Sequence, residues 1–276
     1  MNYQAHSEIS ERIERAKEEL SNCNLCPRNC GVNRCADEKG YCGLDDSVRC
    51  FREVLLSNEE AELVPSHQIY FPGCNLECAY CAVAEWNEEP LAAEKVDFEA
   101  LAEKVAQRRR EGAKTVNLLG GEPTVNLHGI LELLSRVEVE TKIVWNSNMY
   151  YNDVVDRLTR GLVDVYLADF KCGNDDCAEK ILGAKDYVGT VKRNILKAGT
   201  HSDLIVRHLI LPGHIECCLK PILEWLAAEI PEVKLSFWDD YMPPARVSSA
   251  PTEYLTKQEL GTAIEMAKGM GLNLIQ

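Results

Sequence analysis

The pattern of apolar and polar positions changes rhythm at about residue 66. Before that point, residues 7–20 read as a polar, amphipathic helix, and residues 23–50 show turn residues with little periodicity. Beyond it, short apolar runs alternate with segments whose apolar residues recur every three to four positions. The runs at 67–73, 114–121, 142–148, 163–171, 203–213 and 233–241 predict strands. The segments 97–113, 127–137, 152–161, 187–199 and 218–230 predict helices. Six β–α alternations imply an α/β fold with parallel strands, right-handed crossovers and covering helices. That is a barrel, complete or partial, or an open doubly wound sheet. In either, residues just past the strands' C-terminal ends converge on one face and build the site. The pattern divides the chain into a cysteine-rich appendage (1–60), the α/β unit (61–248) and a C-terminal capping helix (249–276).

Charge narrows the partners. Forty-four acidic against 30 basic residues leave a formal charge of −14, which repels phosphate backbones and anionic lipid. No apolar run is long enough to span a bilayer, and the first 22 residues lack the apolar core of a secretion signal. The expectation is a cytoplasmic protein that binds neither nucleic acid nor membrane.

The 13 cysteines turn attention to metals, because disulfides are rare in such a compartment. Six lie between Cys23 and Cys50. Cys74, Cys78 and Cys81 follow the first predicted strand, and Cys172, Cys177, Cys217 and Cys218 come later. Three thiolates can hold a [4Fe–4S] cluster by three irons and leave the fourth open to an amine and a carboxylate. The other readings are a zinc ion that borrows a distant fourth ligand and, for the chain as a whole, a non-catalytic iron–sulfur or zinc scaffold.

Further motifs close the next strands. Gly120, Gly121 and Glu122 end the second, where a bare backbone lets a ligand approach. Asn146 and Ser147 end the third and could hydrogen-bond ribose hydroxyls. Asp169 and Lys171, two apart on the fourth, offer an acceptor for an ammonium and a cation for a carboxylate. Arg207 lies within the apolar fifth strand and needs a partner there. His208 should point the opposite way, as a structural residue.

C-x3-C-x2-C with Tyr80 before the third cysteine resembles the signature of radical S-adenosylmethionine (SAM) enzymes, so a partial (βα)6 barrel is the fold this resemblance implies. It implies SAM as cofactor, reductive cleavage to a 5′-deoxyadenosyl radical, and hydrogen abstraction from a substrate. It also implies that the GGE motif meets the methionyl amino group, and that Arg207 lies near SAM with Leu209 against the adenine. The chain is most similar to pyruvate formate-lyase-activating-enzyme-like proteins, through "CNLCPRNCGVNR", "GGEPT", "IVWNSN" and "RHLILPGHIECC". A low-potential electron donor such as flavodoxin or ferredoxin follows from this likeness. Ala82 and Val83 stand where activases usually carry a His-Asn pair or an Asn, and Asp239, Asp240 and Tyr241 occupy the place of their late histidine. The substrate is therefore either a partner protein or a small molecule.

The remaining cysteines leave alternatives. Cys23, Cys26, Cys30 and Cys42, with Cys35 and Cys50 as extras, predict a second metal site holding zinc or an iron–sulfur cluster. Cys217 and Cys218 are either hydrogen donors, as a radical epimerase needs, or small buried helix-start residues, and Cys172 and Cys177 read the same way.

Overall fold

In the computed structural model, which describes residues 1–245 and 248–275, one eight-stranded sheet organises the chain. Arg246, Val247 and Gln276, which fall within the spans 61–248 and 249–276, lie outside the described residues. The strands are β1 (Arg52–Leu56), β2 (Ser66–Phe71), β3 (Thr115–Gly120), β4 (Ile143–Ser147), β5 (Val165–Asp169), β6 (Asp203–Leu209), β7 (Lys234–Trp238) and β8 (Asn273–Ile275). They stand side by side in chain order, β1 antiparallel to β2 and all other neighbours parallel.

Six of these strands match the apolar runs; the two edge strands were not anticipated. β1 lies inside the segment assigned to the appendage, and β8 lies in the tail assigned to a capping helix. Both are short, half-exposed edges, so neither shows the continuous apolar run of a strand buried on both faces. The tail does hold a helix, Lys257–Gly269, started by a reciprocal Thr256–Glu259 capping box. The predicted crossover helices are present as Phe98–Arg110, Leu127–Leu134, Asp153–Thr159, Tyr187–Gly199 and Lys220–Glu229, and Asp175–Leu182 is an additional one. Near the N-terminus, Ile9–Glu18 buries Ile9, Ile13 and Ala16 along one stripe against Leu127–Leu134. Among the described residues no helix is long and apolar enough to cross a membrane.

Strand alternation sorts the side chains into two environments. Ile69, Leu118, Trp145, Tyr166, Ala168 and Val206 face the helices and join the main core. On the concave face, Val144, Val165, Leu167 and Ile205 make an apolar floor with Leu63. Above the floor the concave face turns polar, with Gln68, Asn117, Asn146, Asp169, Arg207 and Ser236 on the same side of their strands. Residues 59–63 cross this face, from Glu60 beside Arg207 and Trp238 to Glu62 and Leu63 at the strands' N-terminal ends. Asn117 of β3 donates to Glu59, Lys234 of β7 pairs with Glu62, and Thr115 donates to the Leu63 carbonyl.

His208 faces the helices as expected, donating from Nδ1 to the Phe170 carbonyl at 2.7 Å. Burial pushes its pKa down to about 4. The ring therefore stays neutral in the fold to that pH but gains a proton near 6.5 once unfolded. The unfolded state then binds the extra proton, so stability falls as pH drops from 6.5 to 4, by roughly 1.4 kcal/mol per pH unit. Urea unfolding at pH 7 and pH 5 should show this loss in the wild type and a smaller one in His208→Gln, which cannot titrate. Equal losses in both proteins would refute it.

Candidate functional site

Cys74, Cys78 and Cys81 sit on the loop that leaves β2, at the polar end of the concave face. Cys74 is buried; the other two are half-buried. Nitrogen donors surround the sulfurs. The Leu76 N–H lies 3.4 Å and the Asn148 amide 3.8 Å from Cys74 Sγ, and the Asn87 amide lies 3.4 Å from Cys81 Sγ. Burial pushes the Cys78 thiol up to about 12, with the nearby Lys171 ammonium opposing the rise. Donors and a cation aimed at sulfur suit thiolates better than thiols, and a bound metal would supply the remaining compensation.

The GGE motif is built into this loop. A Cβ on Gly120 (φ +129°) would stand 2.1 Å from the Phe71 carbonyl oxygen, and one on Gly121 2.1 Å from that of Gly73. Only bare backbone lets the end of β3 lie so close to the cysteine loop. Glu122 is buried and accepts hydrogen bonds from Ser147 Oγ (2.7 Å), the Asn148 N–H (2.9 Å) and the Thr124 N–H (3.2 Å). Burial raises its pKa and these donors oppose the rise. Its carboxylate thus ties the ends of β3 and β4 together under Cys74.

The pair Asn146 and Ser147 is split by strand alternation. Asn146 lies on the concave face, and its amide has no hydrogen-bond partner among the described residues. Ser147 alternates with Ala168 and Val206, donates to Glu122 and accepts from the Met149 N–H at 3.0 Å.

Asp169 and Lys171 do lie together, with Nζ 2.7 Å from Oδ2. Burial would raise Asp169, but Lys171 and Arg207 hold it below the usual carboxylate range. Arg207 forms a two-pronged pair with Glu60, Nε to Oε1 at 2.9 Å and the second nitrogen to Oε2 at 3.0 Å. Its guanidinium lies 4.5 Å from the Trp238 ring centroid, and Ser236 also donates to Glu60. Leu209, half-buried, is level with Trp238 across the β6–β7 pair. Tyr80 packs edge-on against Tyr241, whose hydroxyl donates to the Pro251 carbonyl.

Glu60, Ser236 and Trp238 escaped the sequence reading. Arg207 in an apolar strand signalled that a partner must exist; nothing local said that it lies 147 residues upstream.

The N-terminal quartet abuts this centre. Cys23, Cys26, Cys30 and Cys42 line one enclosed cavity, whose wall includes Asn75, the neighbour of Cys74. Arg34 is buried beside Cys42 and donates to the carbonyls of Asp45 and Val125, the latter in the turn that follows Glu122. Cys35 is exposed, and Cys50 donates to the Arg52 carbonyl. Cys217 is exposed and Cys218 buried; both lie beyond β6 around His214, with Cys177 beside them and Cys172 buried against Cys218.

The model of the radical SAM superfamily matches residues 69–226, which span the three-cysteine loop and the C-terminal ends of β2 to β6. The chain belongs to the radical SAM superfamily. This radical SAM protein is 35% identical over 274 residues to the uncharacterised protein MJ0674 of Methanocaldococcus jannaschii, covering 96% of this chain and 79% of that one. A shorter stretch of 83 residues is 39% identical to 7-carboxy-7-deazaguanine synthase of Clostridium acetobutylicum, covering 35% of that enzyme. Among solved structures, Streptococcus suis SuiB bound to S-adenosylmethionine is similar with a TM-score of 0.56 at 13% identity, over 74% of this chain and 48% of SuiB. A radical SAM methyltransferase from Sphaerobacter thermophilus is similar with a TM-score of 0.54 at 14% identity, over 98% of this chain and 92% of that one. This radical SAM chain therefore spans about half the length of SuiB, and both likenesses concern the fold.

Proposed function

We propose that this radical SAM protein holds a [4Fe–4S] cluster on Cys74, Cys78 and Cys81 and, with SAM, generates a 5′-deoxyadenosyl radical that takes hydrogen from a substrate, as the activating enzyme of pyruvate formate-lyase does. The observation that carries this reading is the Asp169–Lys171 pair, set on the concave face next to Cys78. Lys171 offers a cation to a carboxylate and Asp169 an anion to an ammonium. The unpartnered Asn146 amide is free for a ribose, and Leu209 offers apolar surface to an adenine. Gly120, Gly121 and Glu122 hold the three-cysteine loop and the end of β4 beside these groups. Residues 59–63 close the far end of the concave face, which keeps water from the reacting centre.

The N-terminal quartet fits a second iron–sulfur cluster. Cys23, Cys26, Cys30 and Cys42 line one enclosed cavity that reaches Asn75, so a cluster held there would stand beside the three-cysteine loop. The chemistry requires a low-potential electron donor, such as flavodoxin or ferredoxin. The exposed thiol of Cys217 favours a second reading, a small-molecule epimerase with Cys217 or Cys218 as hydrogen donor.

Anaerobic, reconstituted protein incubated with dithionite and SAM should release 5′-deoxyadenosine. Asp169→Asn, which leaves Lys171 in place but removes the anion, should weaken SAM binding about tenfold or more, as loss of one buried charged contact does. Absence of 5′-deoxyadenosine from fully loaded protein would remove the proposal. For the two substrate classes, a glycyl-radical EPR doublet on a partner protein marks an activase, and solvent deuterium in the product marks an epimerase.

A further inference from the structure

Away from the three-cysteine loop, four ligating groups meet at one point. His214, Cys217 and Cys218 lie on a π-helical turn, Ile215–Leu219 with its preceding residue, that opens the helix Lys220–Glu229. Their i, i+3, i+4 spacing puts them on one side of the turn. Cys177 reaches them from the first turn of the helix Asp175–Leu182. The Nδ1 atom of His214 lies 3.3 Å from Cys217 Sγ, 3.7 Å from Cys177 Sγ and 3.8 Å from Cys218 Sγ, and Cys177 and Cys217 sulfurs are 3.9 Å apart. All four ligand atoms lie within 4.8 Å of one another, the only group of its kind among the described residues.

We infer that Cys177, His214, Cys217 and Cys218 bind one tetrahedral zinc ion. A tetrahedron with Zn–S of about 2.3 Å and Zn–N of about 2.05 Å has S···S edges near ~3.8 Å and S···N edges near ~3.6 Å. The three S···N separations and the Cys177–Cys217 separation lie within about 0.3 Å of those edges. They are too short for ligands on separate irons of a cluster. Without an ion, three thiols crowd a single ring nitrogen that can exchange a hydrogen bond with only one of them. Two nitrogen donors also face one of the sulfurs. The Asn174 amide lies 3.6 Å from Cys218 Sγ, and the Gly173 N–H points at the same atom. Cys217 is exposed, which leaves the ion a route in.

The position gives the ion a structural task. It clamps the loop after β5 to the turn after β6, where a Cβ on Gly173 would already stand 2.1 Å from the Cys218 carbonyl oxygen. The clamped helix Asp175–Leu182 in turn receives, on its last carbonyls, the N–H groups of Glu77 (2.9 Å, to Leu182) and Ala79 (2.8 Å, to Ile181) from the three-cysteine loop. Zinc at this point holds that loop through the helix. Ligated sulfurs have no S–H hydrogen to give, so this site and the hydrogen-donor reading of Cys217 and Cys218 exclude each other.

Metal analysis of anaerobically purified full-length protein tests the inference without any activity assay. Wild type should carry one zinc per chain more than Cys177→Ser and Cys217→Ser, with iron unchanged, while Cys172→Ser keeps its zinc. The zinc absorption edge of the wild type should report three sulfurs and one nitrogen. Far-UV circular dichroism identifies any variant that fails to fold, and the wild-type edge decides the matter if one does. Equal zinc in wild type and both ligand variants overturns the site. So do a wild-type zinc shell of sulfur alone, iron that falls in place of zinc, and a Cys177–Cys217 disulfide trapped by alkylation.

Discussion

Glu60→Ala should unfold in urea about 3–5 kcal/mol earlier than wild type, the usual cost of leaving one member of a buried ion pair without its partner. Glu60 and Arg207 are both buried, bonded at 2.9 and 3.0 Å, and Glu60 also accepts from Ser236 at 3.1 Å. Removing the carboxylate leaves Arg207 with Asp169 at 3.8 Å and the face of Trp238, which compensate it only in part. Glu60→Gln keeps an acceptor and should lose roughly half as much. The double variant Glu60→Ala/Arg207→Met should lose less than the sum of its two single changes, because no uncompensated cation remains. Strict additivity in that cycle would mean that the pair contributes nothing as a pair.

Cys78→Ala should remove about four irons per chain and abolish 5′-deoxyadenosine formation, since two thiolates hold a four-iron cluster poorly. Cys26→Ala should remove a separate set of about four irons and leave the three-cysteine centre's iron in place. The two losses are separable because each loop is held by its own contacts: Gly120, Gly121 and the helix ending at Leu182 for one, Arg34 and Asn152 for the other. Iron and sulfide counts with EPR of the reduced proteins check this. Iron unchanged in Cys78→Ala would sink the assignment of the radical centre. Loss of zinc rather than iron in Cys26→Ala would make the N-terminal site a zinc site.

The sequence alone determined the features that rest on short spacing. The alternation of period-two and period-three-to-four segments reports which faces are buried, so the parallel sheet and its crossover helices were legible. The three-cysteine loop was legible because its ligands occupy eight consecutive positions, and the GGE turn because two adjacent glycines need a reason to be bare. Tertiary structure decided what depends on pairing between distant strands. Neighbouring residues Asn146 and Ser147 part company because a strand turns successive side chains to opposite faces. Glu60 meets Arg207 only because β1 folds antiparallel onto β2 and residues 59–63 then cross the concave face. His214 joins Cys177 and the Cys217–Cys218 pair because adjacent parallel strands release their loops at the same end of the sheet. Such meetings are properties of strand order and register, and a linear pattern of residues carries neither.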